Sequence, residues 1–254
     1  MDLTKVSSRK PLRALKFLFD TRVPLNVYLS YIKTYIRKKE ILRGAPDISN
    51  YEKDKSFGTF SNDWFKPNIP YWHKAFLDAG FYERDINSLE IGSWEGMSTL
   101  YILSTLPRAM HTSVDTWAGA DEHKGQDVLN LIEKNFDRNT EKYKNRLKKY
   151  KGTSFNFFNQ DLDYKNFDLI YIDGSHHTDD VIIDAIKGFE LLKIGGLMIF
   201  DDYFWVYYKN AMDNPAGAVN AFLNLKLGCY EILDVYGQLI IRKLTDGRRP
   251  SVTF

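Results

Sequence analysis

From Ser88 to Asp202 the chain keeps switching between short apolar runs and segments of helical period, and this alternation restricts the fold more than any other feature. "SLEIGS", "MHTSVDTW", "RLKKYKG", "FDLIYID" and "GGLMIFDD" read as strands one to five. Between them lie "MSTLYILSTL", "DVLNLIEKNFDRNTEKYKN", a short helical piece and "TDDVIIDAIKGFELL", which read as helices. Strands separated by helices pair in parallel through right-handed crossovers. A further helix is expected at about 215–226. After it, "CYEILDVYGQLIIRKL" holds two strand-like runs joined at Tyr236-Gly237, which predicts an antiparallel hairpin. The expectation is an α/β fold whose seven-stranded sheet is mostly parallel and ends in that hairpin.

Ligands of such open sheets bind outside the carboxyl ends of the strands, so the residues after each strand carry the chemistry. Strand one runs into "EIGSWEG". Gly92 allows a tight strand-to-helix turn, and Gly96 leaves room for a ligand to approach the backbone. The spacing lacks the three glycines that bring a backbone against pyrophosphate, so this loop suits a nucleoside without phosphates. Asp115 ends strand two, 23 residues beyond Gly92, where an acid can accept hydrogen bonds from ribose hydroxyls.

Strands four and five both end in acids: Asp173 in "YIDGSHH", then Asp201 and Asp202 in "IFDDY". Carboxylates gathered at one mouth repel unless a cation lies among them. Oxygen ligands favour magnesium, manganese or calcium. Such an ion loosens the proton of a bound hydroxyl, and His176, three residues past Asp173, is the candidate general base, with His177 a less favoured neighbour. Tyr203, Trp205 and Tyr207, in "YFWVYY", offer aromatic faces for an acceptor, against the alternative of core packing. His123, in the loop after strand two, is a further candidate substrate contact, against the alternative of mere exposure.

Glycine loop, downstream acid and terminal hairpin together resemble the class I S-adenosylmethionine-dependent methyltransferases over roughly residues 69–244, which implies a Rossmann-like sheet. By that resemblance Glu90 faces the amino-acid or ribose portion of S-adenosylmethionine and Asp115 its ribose diol. Gly92, Ser93, Gly96, Ser98, Thr116 and Asp173 join the cofactor site, and Trp117 or Ser154 lines the adenine or the mouth. "DGSHH" with "GGLMIFDDYFW" is similar to the metal-dependent branch that methylates sugar hydroxyls, including macrolide glycosides, which implies Asp173, Asp201 and Asp202 as metal ligands and His176 as base. A phenol or catechol acceptor, and a non-catalytic binding module on the same fold, stay open as alternatives. The terminal hairpin and the glycine spacing argue against a dehydrogenase. "DGSH" stands where base-methylating enzymes carry an N/D-P-P-Y type loop, so no nucleic-acid partner is expected.

Residues 1–68 are expected to be a basic helical extension and connector, and 69–254 the catalytic domain. The helical pattern of the extension breaks at Pro24, and 45–71 reads as a connector or lid-like loop. Residues 1–60 hold 13 Lys and Arg against 6 Asp and Glu, while the whole chain is only +2. This arm is either a solvated extension or a peripheral contact with anionic membrane, since "LKFLF" and "VYLSYIKTYI" interleave apolar and basic residues. It can also hold acceptor-binding or homo-oligomer contacts. A single cysteine, Cys229, leaves no internal disulfide; with no secretory pattern and no run of membrane-spanning length, a cytoplasmic location is expected.

Overall fold

The structure, a computed structural model, describes residues 11–119, 129–162 and 166–247, apart from the side chain of residue 130. Seven strands form one sheet: β1 (Ile86–Ile91), β2 (Ala109–Asp115), β3 (Leu147–Lys151), β4 (Phe167–Ile172), β5 (Leu192–Phe200), β6 (Tyr230–Val235) and β7 (Leu239–Lys243). Their order across the sheet is β3-β2-β1-β4-β5-β7-β6. The first five run parallel; β7 pairs antiparallel with both β5 and β6. The hairpin inferred from "CYEILDVYGQLIIRKL" therefore inserts its second strand beside β5 and leaves β6 at the edge.

β4 is buried at every position because it is central and covered on both faces. Its alternating side chains feed two cores. Ile170 and Ile172 pack into one with Phe189 and Phe222; Leu169 and Tyr171 pack into the other with Trp72 and Tyr101. The layers over these faces are α4 (Ile69–Asp78), α5 (Met97–Thr105), α6 (Leu129–Thr140), α7 (Ser154–Phe158), α8 (Thr178–Leu191) and α9 (Pro215–Leu225). α6 stops at Thr140, short of the expected 145; a 3-10 turn, Glu141–Arg146, leads into β3.

The basic arm breaks at Pro24 into α1 (Pro11–Asp20) and α2 (Leu25–Arg43). Ala14, Phe17, Leu18, Val27 and Tyr31 join the same core as Ile170 and Phe222. Thr34 donates to Asp234 on β6 at 3.1 Å. The expected 45–71 connector contains a helix, α3 (Ser49–Ser56). Its sequence has no apolar period, so tertiary contacts hold it: Tyr51 packs edge-on against Tyr101 at 5.4 Å, and Asp54 accepts from Lys142 at 2.6 Å.

Candidate active site

The carboxyl ends of β1, β2, β4 and β5 lie side by side, and three of the four non-glycine residues with positive φ among the described residues sit there: Trp94, Trp117 and Asp202. Left-handed backbone at such residues costs about 1–2 kcal/mol each and persists where the surroundings impose it. Gly92 is required for a tighter reason. Its φ is +86°, and a Cβ there would stand 2.1 Å from the Asp173 carbonyl oxygen. The β1 turn is thus pressed onto the end of β4. Gly96 answers a different need from the expected ligand approach: a Cβ would meet Phe136 and Thr140 of α6 at 3.0 Å.

Asp115 organises the turn after β1. Its carboxylate accepts from the backbone N–H groups of Ser93 (2.7 Å), Trp94 (2.8 Å) and Trp117 (2.6 Å). Two oxygens offer about four acceptor sites, so one remains for a ligand hydroxyl. Burial raises its pKa, with the three N–H bonds opposing. The Ser93 hydroxyl is buried without a hydrogen-bond partner among the described residues. A buried polar group of this kind normally has a partner, so the loop is chemically suited to a polar ligand. Thr116 is exposed and Trp117 buried, its indole N–H donating to the Trp94 carbonyl at 2.9 Å.

Several expected site residues turn inward. Glu90 is fully buried; Ser98 and Thr99 of α5 donate to its carboxylate, and His111 Nε2 stands 3.4 Å away. Strand alternation sets it on the α5 side of β1, away from any ligand. Burial raises the pKa of this carboxyl, but His111, Ser98 and Thr99 outweigh that and hold it below its usual range. Tyr203, expected under an acceptor, has no exposed surface and donates to Asn220 at 2.6 Å, because the chain bends into the core after β5. Ser154, at the start of α7, sits beside Asp184 of α8 and opposes the rise in that acid's pKa. His123 lies outside the described residues.

Asp184 itself is 2% exposed, and burial, with Asp180 nearby, pushes its pKa up to about 7. An acid raised in the folded state binds more protons folded than unfolded between about pH 4 and 7, so its contribution to stability falls as pH climbs through that window, by up to about 4 kcal/mol. Asp184→Asn should leave stability unchanged near pH 4 and raise it above pH 7. Urea midpoints at the two pH values check this; an unchanged difference between them would sink it.

The acids of β4 and β5 do converge. One ligand atom each from Asp173, His176 and Asp202 lie within 4.8 Å of one another. His176 Nε2 is 3.3 Å from an Asp202 oxygen, and its ring packs on Trp205 at 4.2 Å. Asp202 reaches this point because its left-handed backbone, φ +49°, turns it across the end of β5. Asp201 is engaged differently from its expected role as a ligand: it accepts from its neighbour's N–H at 2.6 Å and from the Tyr171 hydroxyl. His177 pairs with Tyr208, ring centroids 5.5 Å apart, and Tyr207 is half exposed.

Tyr171 is the residue the sequence reading missed. Its buried hydroxyl meets Asp173 at 2.9 Å as well as Asp201, and Gln238 donates to it at 3.4 Å. Two-residue strand spacing from Asp173 was the available signal, since it puts both side chains on one face. One phenolic proton serves only one carboxylate at a time. Part of Asp173 reaches solvent, yet burial of its carboxyl, with the Asp201 and Asp202 charges alongside, raises its pKa well above the carboxylate range. A divalent cation would relieve that repulsion. Ligand bonds of about 2.0–2.6 Å allow donors spaced as Asp173, His176 and Asp202 are to share one ion, so the residues present fit the group.

A second missed feature caps the loop. Glu95 accepts from the Ser61 N–H (2.6 Å) and hydroxyl (2.8 Å), and Asn139 bonds both Thr59 and the Glu95 carbonyl. Residues 59–61 are thereby tied across the β1 turn.

Residues 89–203 match a family model described as a methyltransferase domain. That segment holds the β1 turn, Asp115 and the Asp173, His176 and Asp202 cluster, and it is similar to methyltransferase domains. The sheet order is that of a Rossmann-like methyltransferase fold. Among solved structures, the chain is similar to MycE from the mycinamycin biosynthetic pathway, in complex with Mg, SAH and mycinamycin VI, at TM-score 0.53 and 17% identity over 81% of this chain. The chain spans 57% of that protein's length. It is similar to the SAH-bound Podospora anserina methyltransferase PaMTH1, at TM-score 0.50 and 16% identity, over 83% of this chain and 95% of the other. A proposed caffeoyl-CoA O-methyltransferase from Staphylococcus aureus has TM-score 0.51 and 16% identity, with 84% and 99% covered. No curated protein matches the sequence.

Proposed function

We propose that the chain is a divalent-metal-assisted, S-adenosylmethionine-dependent O-methyltransferase acting on a hydroxyl of a sugar or glycoside. The observation that carries this reading is the meeting of Asp173, His176 and Asp202 donors within 4.8 Å at the carboxyl edge of the sheet, beside the turn built by Gly92 and Asp115. Ser93 and the free acceptor position of Asp115 hold the cofactor's polar groups. Asp173 and Asp202 would hold magnesium or manganese, with Asp201 kept beside them by Tyr171. A bound divalent ion lowers the pKa of a coordinated hydroxyl and fixes its position. His176, packed on Trp205 beside Asp202, takes the acceptor proton as the oxygen attacks the methyl carbon and the carbon–sulfur bond of the sulfonium breaks, releasing S-adenosylhomocysteine. Trp205, expected under the acceptor, is buried between His176 and Tyr207; the half-exposed Tyr207 is the aromatic face left for a sugar ring.

Incubation with labelled S-adenosylmethionine, magnesium and a panel of glycosides, nucleotide sugars and catechols tests the acceptor. Label on glycosides or nucleotide sugars is expected. Label on catechols alone would replace the sugar reading with a phenolic one. Absence of cofactor binding by calorimetry would favour a non-catalytic module.

A further inference from the structure

We propose that the solvent face of the α1–α2 pair docks on an anionic membrane surface; this goes beyond the methyl-transfer reading and does not rest on it. α2 is apolar on two opposite sides. One side buries Val27, Tyr31 and Ile41. On the other, Leu25, Leu29, Ile32 and Ile36 stand 74%, 61%, 44% and 73% exposed. Spacings of four, three and four residues put these in one line along the helix. α1 adds Leu12 and Phe19, 81% and 74% exposed. Scattered surface leucines need no explanation, but an aligned apolar row marks a surface that meets something.

Charge selects the partner. Residues 11–43 hold eight Lys and Arg against Asp20 and Glu40. On the same helical line, Lys39 and Arg43 continue the row beyond Ile36, and Arg22 lies just ahead of its start. A second copy would bring like charges face to face, which is destabilising. Anionic headgroups neutralise those cations while the interface takes up the apolar row, as amphipathic surface helices do. No described helix is long and apolar enough to cross a membrane, so α2 lies along the surface. Its inner side meets Phe204 through Tyr31 at 5.7 Å, beside Phe17 of α1 at 5.4 Å. Phe204 immediately precedes Trp205, the residue packed on His176.

Co-sedimentation of the full chain with vesicles of phosphatidylcholine, alone or mixed with phosphatidylglycerol, tests this. Binding is expected only to the mixed vesicles, weakening as salt is raised. Each cation near an anionic surface strengthens partitioning by about fivefold, so Lys39→Glu/Arg43→Glu should reduce binding by about 25-fold or more. Ile32→Ser/Ile36→Ser should reduce it by about tenfold or more. All four side chains are outside the core, so thermal midpoints should stay at the wild-type value. No binding to mixed vesicles would overturn the proposal, as would undiminished binding by both variants. A concentration-dependent dimer broken by Ile32→Ser/Ile36→Ser would assign the row to a second copy. Retention on heparin equal in the wild type and the serine variant, without vesicle binding, would assign it to a soluble polyanion.

Discussion

Asp202→Asn is expected to abolish methyl transfer, lowering the rate by about 10³ or more, while S-adenosylhomocysteine still binds. Asparagine keeps the size of the side chain and tolerates the left-handed backbone at φ +49°, so the change removes a charge without unfolding the turn. The ligand set of Asp173, His176 and Asp202 then loses one of its two carboxylates. Metal-assisted activation of a hydroxyl supplies several kcal/mol of barrier lowering, and each 1.36 kcal/mol is tenfold in rate. Excess EDTA should do the same to the wild type, and added manganese or magnesium should restore it. Full activity in EDTA would remove the metal from the mechanism.

His176→Ala should lower the rate by about 10²–10⁴, the usual worth of a positioned general base. The residue also stands among the possible ligands, 3.3 Å from Asp202, so the rate alone does not define its role. Manganese affinity separates the two assignments. If His176 is the base, the variant binds manganese as the wild type does and loses only turnover. Manganese affinity weakened by about tenfold or more, the usual consequence of disturbing a ligand set, makes the imidazole a ligand and moves the base elsewhere. A near-normal rate in the variant would exclude both roles.

The sheet was legible in the sequence because strand and helix periods differ, and because "FDLIYID" and "GGLMIFDD" end on acids at positions that parallel pairing brings level. Ile172 pairs with Phe200, so Asp173 and Asp201 follow in step. What period two cannot supply is the side on which a neighbouring helix lies. The resemblance implied Glu90 as a ligand contact, whereas Ser98 and Thr99 enclose it from α5. Tyr203 and Trp205 looked equivalent in "YFWVYY"; the bend after β5 buries the first against Asn220 and sets the second on His176. α3 was invisible for another reason, since Tyr51 and Asp54 gain their partners from segments about 50 and 90 residues away.

Direct titration of manganese into the protein loaded with S-adenosylhomocysteine, followed by the electron paramagnetic resonance of the free ion, measures the cation without requiring the acceptor. One manganese per chain, displaced by magnesium and lost in both Asp173→Asn and Asp202→Asn, is the predicted outcome. Wild-type protein that takes up no manganese, or variants that bind it as the wild type does, would contradict the account.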